Sequence, residues 1–440
     1  MRTLFCLLLL VITMSASSQE TKSILFEKVR VFNGRSAVVS EPMYVLVNGN
    51  TIQKISAVPI DVATDAVKIN GEGKVLMPGL IDVHVHLTFG ALSKKDMLSP
   101  ETTEAMLMQR VGISAEKTLL RGFTSVRDVG GPIFPLKAAI DQGKINGPRI
   151  WPSGATVSQT AGHGDFRTPD ERSRRFFGEA SMAEKYNATF IADGRDEVLT
   201  AVRENLRFGA SQIKVMAGGG TSSAYDPVDV TQYTLDEMKA AVEAAGDWGT
   251  YVTVHAYTPK AVQRAVEAGV KCIEHGQLLD EYTLRLMAKK GVWLSLQNLV
   301  EDTPDMDPQR REKRKPVIEG QEKIWPLAKK LKVKLAWGTD FLFEPELNER
   351  QNEFILRLKK WFTTAEILKM VTHDNAQLLA LSGLRSPYAG KLGVVEEGAL
   401  ADLLLVNGNP LEEIELIADP AKNFLVIVKD GRMYKNMLQQ

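Results

Sequence analysis

Residues 79–90 read GLIDVHVHLTFG. Leu80, Ile81, Val83 and Val85 make the short apolar run expected of a strand buried on both faces. Two of the chain's six histidines are set into that run. Side chains two apart on a strand share a face, so His84 and His86 point the same way, and Asp82 has the same parity. A lone buried histidine is usually structural. Two on one face near a strand's C-terminal end form a two-pronged clamp for a metal ion.

Seven further strand-like runs follow: FTSVRDVG (123–130), RIWPSG (149–154), QIKVMAGGG (212–220), YVTVHAY (251–257), CIEHG (272–276), VWLSLQNL (292–299) and LAWGTD (335–340). Helical patterns such as TLDEMKAAVEAAGDWG (234–249) and PKAVQRAVEAGV (259–270) separate them. Eight strand–helix units over roughly 250–300 residues predict an α/β fold of the (β/α)8 TIM-barrel type. A doubly wound open sheet is the competing arrangement, weakened because no GxGxxG follows the first strand. Residues 24–77 and 390–436 are instead β-rich with Asn-Gly and Asp-Gly turns, which predicts one small β-sandwich built from both chain ends. The expected division is a signal peptide over 1–18, sandwich segments over 19–77 and 389–440, and the barrel over 78–388. Two connections are long, 160–198 and 299–327; the basic run RREKRK (310–315) in the second reads as a solvated helix face.

Composition narrows the classes. The 440 residues are 44% hydrophobic and 25% charged, ordinary for a folded protein, and 54 basic side chains balance 54 acidic ones. Zero net charge argues against a general nucleic-acid binder. Arg2, the apolar run LFCLLLLVITM and the small-residue stretch SASSQ have the three parts of a secretory signal, with Ala16 and Ser18 suited to the cleavage zone. This predicts a secreted or periplasmic protein with no membrane contact after signal removal; a retained membrane anchor is the alternative. Cys272 would then be the single cysteine left, so the fold must be held without an internal disulfide.

His255 ends YVTVH, His275 ends CIEH and Asp340 ends LAWGTD, while Lys214 lies within QIKVMAGGG. All four fall near strand C-termini, where barrel active sites are built. Singly, each has a bland reading: a core histidine, a helix-capping aspartate, a lysine paired with buried Glu274 or Asp128. Burial also lowers a lysine's pKa and frees its lone pair to take up carbon dioxide, giving an anionic carbamate able to bridge two metals. Spacing alone leaves both readings of Lys214 open.

VLMPGLIDVHVHL, SQTAGHGD, IKVMAGGG, HAYTP, IEHG and GTD together resemble the amidohydrolase superfamily. Within it they look like the prolidase-like (Xaa-Pro dipeptidase) enzymes, a branch close to imidazolonepropionases. The resemblance spans nearly the whole chain. It implies two divalent ions, zinc first, held by His84, His86 and Asp340 on one side and His255 and His275 on the other, with N6-carboxylated Lys214 between them. It implies a metal-bridging hydroxide as nucleophile, Asp340 as proton carrier, and His163 facing the substrate carbonyl to steady the oxyanion. Arg167 is placed to grip a substrate carboxylate or else lies on the surface, and Tyr233 and Tyr257 either line the pocket or pack. His373 reads as structural; Thr372 and Asn375 resemble a stretch that packs beneath many such sites. Relatives often associate, so a homo-oligomer is expected.

The reading is a binuclear amidohydrolase acting on small molecules or dipeptides with a C-terminal amide bond, Xaa-Pro first. Hydrolysis of N-acyl amino acids of the ochratoxin kind is the near alternative. A mononuclear imidazolonepropionase-type enzyme is the further one, opposed by Lys214. A non-catalytic barrel is opposed by the complete ligand set.

Overall fold

The computed structural model describes residues 22–438, apart from 94, 97–100, 224, 300–301 and 303–305. The expected signal segment lies outside the described residues. Among the described residues, no helix is long and apolar enough to cross a membrane.

The chain opens with five strands: β1 (Ile24–Val31), β2 (Met43–Asn48), β3 (Thr51–Ser56), β4 (Val67–Asn70) and β5 (Val75–Pro78). β1 pairs antiparallel with β2, and on its other edge it changes partner along its length. Ile24–Glu27 pair with β4, whereas Arg30 and Val31 pair with β5. The change falls at Lys28, whose φ of 55° and adjoining bulge turn the strand.

Ten parallel strands follow: β6 (Leu80–Val85), β7 (Phe123–Asp128), β8 (Arg149–Pro152), β9 (Thr156–Ser158), β10 (Thr189–Ile191), β11 (Ile213–Met216), β12 (Val252–Ala256), β13 (Cys272–His275), β14 (Trp293–Leu296) and β15 (Lys334–Trp337). They form two parallel sheets, ordered β6-β7-β8 and β10-β9-β11-β12-β13-β14-β15. The third run, 149–154, holds β8 alone, and β9 follows it after a break at Ser153–Ala155, where Gly154 has φ 76° and Asn205 holds both the N–H and the C=O of Ala155. β8 pairs with β7 and β9 with β11, so one stretch of chain joins the two sheets. β10 lies inside the long 160–198 connection and gave no sequence signal, being three residues long.

Helices link these strands as the patterns predict. Thr234 and Glu237 form a capping box that starts the helix Leu235–Asp247. Pro259–Ala268 begins on a proline, buries Ala261, Val262, Ala265 and Val266 on one face, and stops at Gly269 with φ 104°. The long helix Pro308–Lys330 corrects the reading of RREKRK. Helical spacing turns Lys313 and Arg314 inward: Arg314 is buried against Asp302 (2.6 Å), and Lys313 Nζ donates to the carbonyls of Ser223 and Asp226.

At the other junction, β15 and β6 are joined by side chains as well as backbone. Asp340 N–H donates to His84 O (2.8 Å). Asp82 accepts from Thr339 N–H and from the Thr339 hydroxyl. Asn375 lies just after a single wide turn of helix at Met370–Asp374. It donates to Ile81 O (2.7 Å) and Trp337 O (2.9 Å) and accepts from Trp337 N–H (3.0 Å). Gly338 passes so close that a Cβ there would collide with His84.

Three final strands, β16 (Leu403–Val406), β17 (Phe424–Lys429) and β18 (Arg432–Asn436), return to β5 and complete an eight-stranded mixed sheet with the N-terminal strands. Its apolar side chains, among them Phe26, Val45, Ile69, Leu76, Leu405 and Val426, form a core of their own. Arg149 ties this unit to the parallel strands through Asp402 (2.8 Å) and Asp430 (2.6 Å).

Replacing Asn375 by alanine removes three buried hydrogen bonds and leaves two carbonyls and an N–H unpaired. The expected cost is roughly 2–4 kcal/mol, read from urea unfolding of the metal-free protein. A loss under about 1 kcal/mol would mean that packing alone holds β6 against β15.

Candidate active site

The predicted site residues come from five strands. His84 lies on β6 and His86 directly after it, Lys214 on β11, His255 on β12, His275 ends β13, and Asp340 follows β15. His275 (φ 77°) and Asp340 (φ 57°) both occupy left-handed backbone, a costly conformation for residues other than glycine and one that clusters at functional sites.

The side chains converge. Asp340 Oδ1 lies 3.2 Å from His84 Nε2 and 3.2 Å from His86 Nε2, and its Oδ2 lies 3.9 Å from His275 Nδ1. Among the described residues, His84, His275 and Asp340 form a group whose ligating atoms all lie within 4.8 Å of one another. The His255 ring sits 4.4 Å from that of His275. Asp340 keeps 21% of its side chain exposed, so the cluster opens to solvent on its side.

Hydrogen bonds fix which nitrogen of each ring is free. His86 Nδ1 lies 2.8 Å from Gly130 O, and His255 Nε2 lies 3.1 Å from Gly219 O. A carbonyl only accepts, so these nitrogens carry protons, which leaves Nε2 of His86 turned toward Asp340 and Nδ1 of His255 as the other ring nitrogen. His84 Nδ1 is bound to Glu274 Oε2 (2.8 Å), and its Nε2 is buried without a well-formed hydrogen bond. Burial first, then the neighbouring His163 and His275, push the His255 imidazole well below its usual pKa. Burial likewise holds His275 well below, Asp340 opposing and His84 adding to it. The imidazoles of His255 and His275, held neutral by burial, the orphaned buried nitrogen of His84 and the Asp340 carboxylate fit a divalent cation.

Beneath the cluster lies a charged network. Arg127 donates to Val83 O (2.6 Å), Tyr251 Oη (3.1 Å) and Glu274 Oε1 (2.6 Å). The Thr253 hydroxyl and the Cys272 thiol also donate to Glu274 Oε1. Burial raises the Glu274 pKa, but Arg127 and then His84 outweigh it and hold this carboxyl well below the ordinary range. For Asp340, burial is similarly overcome by His84 and His86.

Glu274 is therefore occupied, and the pairing of Lys214 with Glu274 or Asp128 is not found. No carboxylate among the described residues lies within ion-pair distance of Lys214, which is almost fully buried. Burial lowers its pKa, with Arg127 adding to the effect against Glu274 and Asp340. Asp128 instead accepts from the N–H groups of Leu87 (2.8 Å) and Gly130 (3.2 Å), and burial pushes it up to about 6.

Of the remaining predicted residues, His163 and Tyr257 join the cluster. The His163 ring stacks on His255 at 4.0 Å, and Tyr257 packs against both His255 (5.1 Å) and His275 (5.0 Å). A Cβ on Gly220 would collide with the His163 ring. Tyr233 is buried with its hydroxyl on Ala192 O (2.9 Å), and Arg167 is spent on Asp165 through two bonds of 2.7 and 2.5 Å. Neither is brought to the cluster by a described contact. His373 is bonded to Asp374 (2.8 Å), in keeping with a structural role. The sequence reading missed Arg127 and Asp226. An arginine inside a buried run such as FTSVRD was itself a signal, because it demands a buried acid. The glycine run before Asp226 signalled a close backbone approach.

Strands that present imidazoles and a carboxylate at their C-terminal ends define an α/β protein with a side-chain cluster of the kind that can hold a metal ion. The amidohydrolase family model matches residues 75–433. The chain is 33% identical over 373 residues to ochratoxinase of Aspergillus niger, covering 82% of this chain and 76% of that protein. It is similar to a prolidase solved with N-methylphosphonate-L-proline (TM-score 0.85, 32% identity, 94% of this chain and 100% of that one). It is also similar to a Xaa-Pro dipeptidase with bound methionine in its active site (TM-score 0.79, 28% identity, 94% and 100%). The chain belongs to the amidohydrolase family.

Glu274→Gln strips the charge opposite Arg127 and loosens His84. It is expected to cost roughly 3–5 kcal/mol of stability and to weaken metal affinity about 10- to 100-fold, by chelator competition. Glu274 has a depressed folded pKa, so its contribution is present above about pH 4.3 and is lost as pH falls through its folded value. Metal-free protein should lose stability on acidification below that point, and an Arg127→Met, Glu274→Leu double variant should lose less. Equal losses would remove Glu274 from the account.

Proposed function

We propose that the two parallel sheets close as a (β/α)8 barrel over 78–388, that segments 19–77 and 389–440 form a β-sandwich, and that the barrel mouth hydrolyses amide bonds with two divalent metals. The observation that carries this reading is the convergence of His84, His86, His275 and Asp340, with buried Lys214 in no ion pair among the described residues. The side-chain and backbone bonds between β6 and β15 support closure of the ring.

His84, His86 and Asp340 would hold one cation and His255 and His275 the other. Lys214, as its carbamate, would lie between them, formed when the neutral amine adds to carbon dioxide and releases a proton. Cations held there, zinc by the donor set, would supply Lewis acidity, polarising the scissile carbonyl and acidifying a water. Asp340 remains ionised, so its carboxylate can accept a proton from the attacking water and deliver it to the leaving nitrogen. That delivery matters because an amide nitrogen leaves poorly until protonated. Tyr257 walls the site and helps to exclude water.

The substrates are small amides ending in a free amino acid. Xaa-Pro dipeptides and N-acyl amino acids both follow from the relatives, which include prolidases and an ochratoxinase. A Xaa-Pro bond has no N–H, so it escapes peptidases that must bind that group, and a site acting on the carbonyl does not need it. The N-terminal segment supports a secreted or periplasmic enzyme.

Release of free amino acid from a panel of Xaa-Pro dipeptides, N-acyl amino acids and cyclic amides tests the reading. Turnover of the first or second class is expected, with Asp340→Asn lowering kcat on the order of 10²-fold or more. Turnover confined to cyclic amides would overturn it.

A further inference from the structure

Asp226, in the loop after β11, has a fully buried side chain. Its Oδ2 accepts from Gly220 N–H (2.7 Å) and lies 3.1 Å from His163 Nδ1. Ser223 Oγ lies 2.8 Å from the same nitrogen, and the Ser223 hydroxyl donates to Asp226 Oδ1. With that hydrogen spent, Ser223 can only accept from the ring, and an oxygen already taking an amide hydrogen accepts as well. Both neighbours therefore require the proton on His163 Nδ1.

The loop is built to hold this arrangement. Lys313, from the helix Pro308–Lys330, donates to Ser223 O (2.8 Å) and Asp226 O (2.7 Å). His163 N–H donates to Gln232 Oε1 (2.9 Å), and its ring lies nearly parallel to that of His255, at 19°. His163 Nε2 has only a long contact to Ser222 Oγ, 3.4 Å.

We propose that Asp226, together with Ser223, is a positioning residue that locks the His163 proton on Nδ1 and the ring flat against His255, presenting Nε2 as a hydrogen-bond acceptor. In that tautomer Nε2 accepts from a water or a substrate N–H, whereas donating to an oxyanion, the role expected from the sequence, would take a second proton. The kinetic consequence rests on the amide-hydrolase reading; the tautomer does not.

The test is 15N NMR of histidine-labelled, metal-loaded protein, with the His163 signals identified by their loss in His163→Gln. The wild type is expected to show protonated Nδ1 and bare Nε2. Asp226→Ala should give a tautomer mixture, and Asp226→Asn, which keeps an acceptor, should restore Nδ1–H at least in part. In turnover, Asp226→Ala should lower kcat roughly 10- to 100-fold with KM little changed. It should cost nothing further in a His163→Gln background. A proton on Nε2 in the wild type, an unchanged tautomer in Asp226→Ala, or additive losses in the double variant would each overturn the proposal. If the wild type turns over nothing in the panel, the amide reading has failed and the NMR result alone decides.

Discussion

Glu274 carries its charge among the parallel strands with almost no water to solvate it, and both of its oxygens are committed. One takes Arg127, Thr253 and Cys272; the other takes His84 Nδ1. Leaving either ion alone at that depth would cost several kcal/mol, so Arg127 and Glu274 hold each other in place. Arg127 in turn grips Val83 O, next to His84 in the chain. The His84 ring is thereby fixed at its far nitrogen and through its backbone, and Nε2 is aimed at Asp340. With Glu274 used up, Lys214 has no carboxylate within ion-pair distance among the described residues. The same ion pair orients His84 and withholds Glu274 from Lys214, whose burial favours the neutral amine.

A second constraint is geometric. Asp340 and His275 sit in left-handed backbone at strand ends, and Gly338 and Gly220 give up a Cβ so that His84 and His163 can come close. The strain is carried by the surrounding hydrogen bonds, with Asp82 and Asn375 binding the turn before Asp340 to β6. Backbone conformation and close approach thus fix where the side chains of the site stand.

Much of this was legible in the sequence because strand parity is a strict rule. His84 and His86 share a face by spacing alone, and ending a strand on His255, His275 or Asp340 points to the same mouth. Family membership followed from the same motifs. Less legible was whatever depends on how connections fold. The break at Gly154 and the three-residue β10 leave no periodic trace. The meeting of His163 with Asp226 joins two loops that no pattern relates. The inward turn of Lys313 and Arg314 was hidden because a run of charge reads as solvated until its buried partners are known. Lys214 was undecidable for a similar reason: whether it pairs with Glu274 depends on whether Arg127 has already done so.

The account depends on Lys214 serving as a bridging group rather than as a buried cation. The measurement that tests this most directly is metal content per chain in protein purified with bicarbonate, compared between the wild type and Lys214→Ala. About two ions per chain in the wild type, falling to one or fewer in the variant, is the expected result. About one ion per chain, unchanged by the substitution, would contradict it.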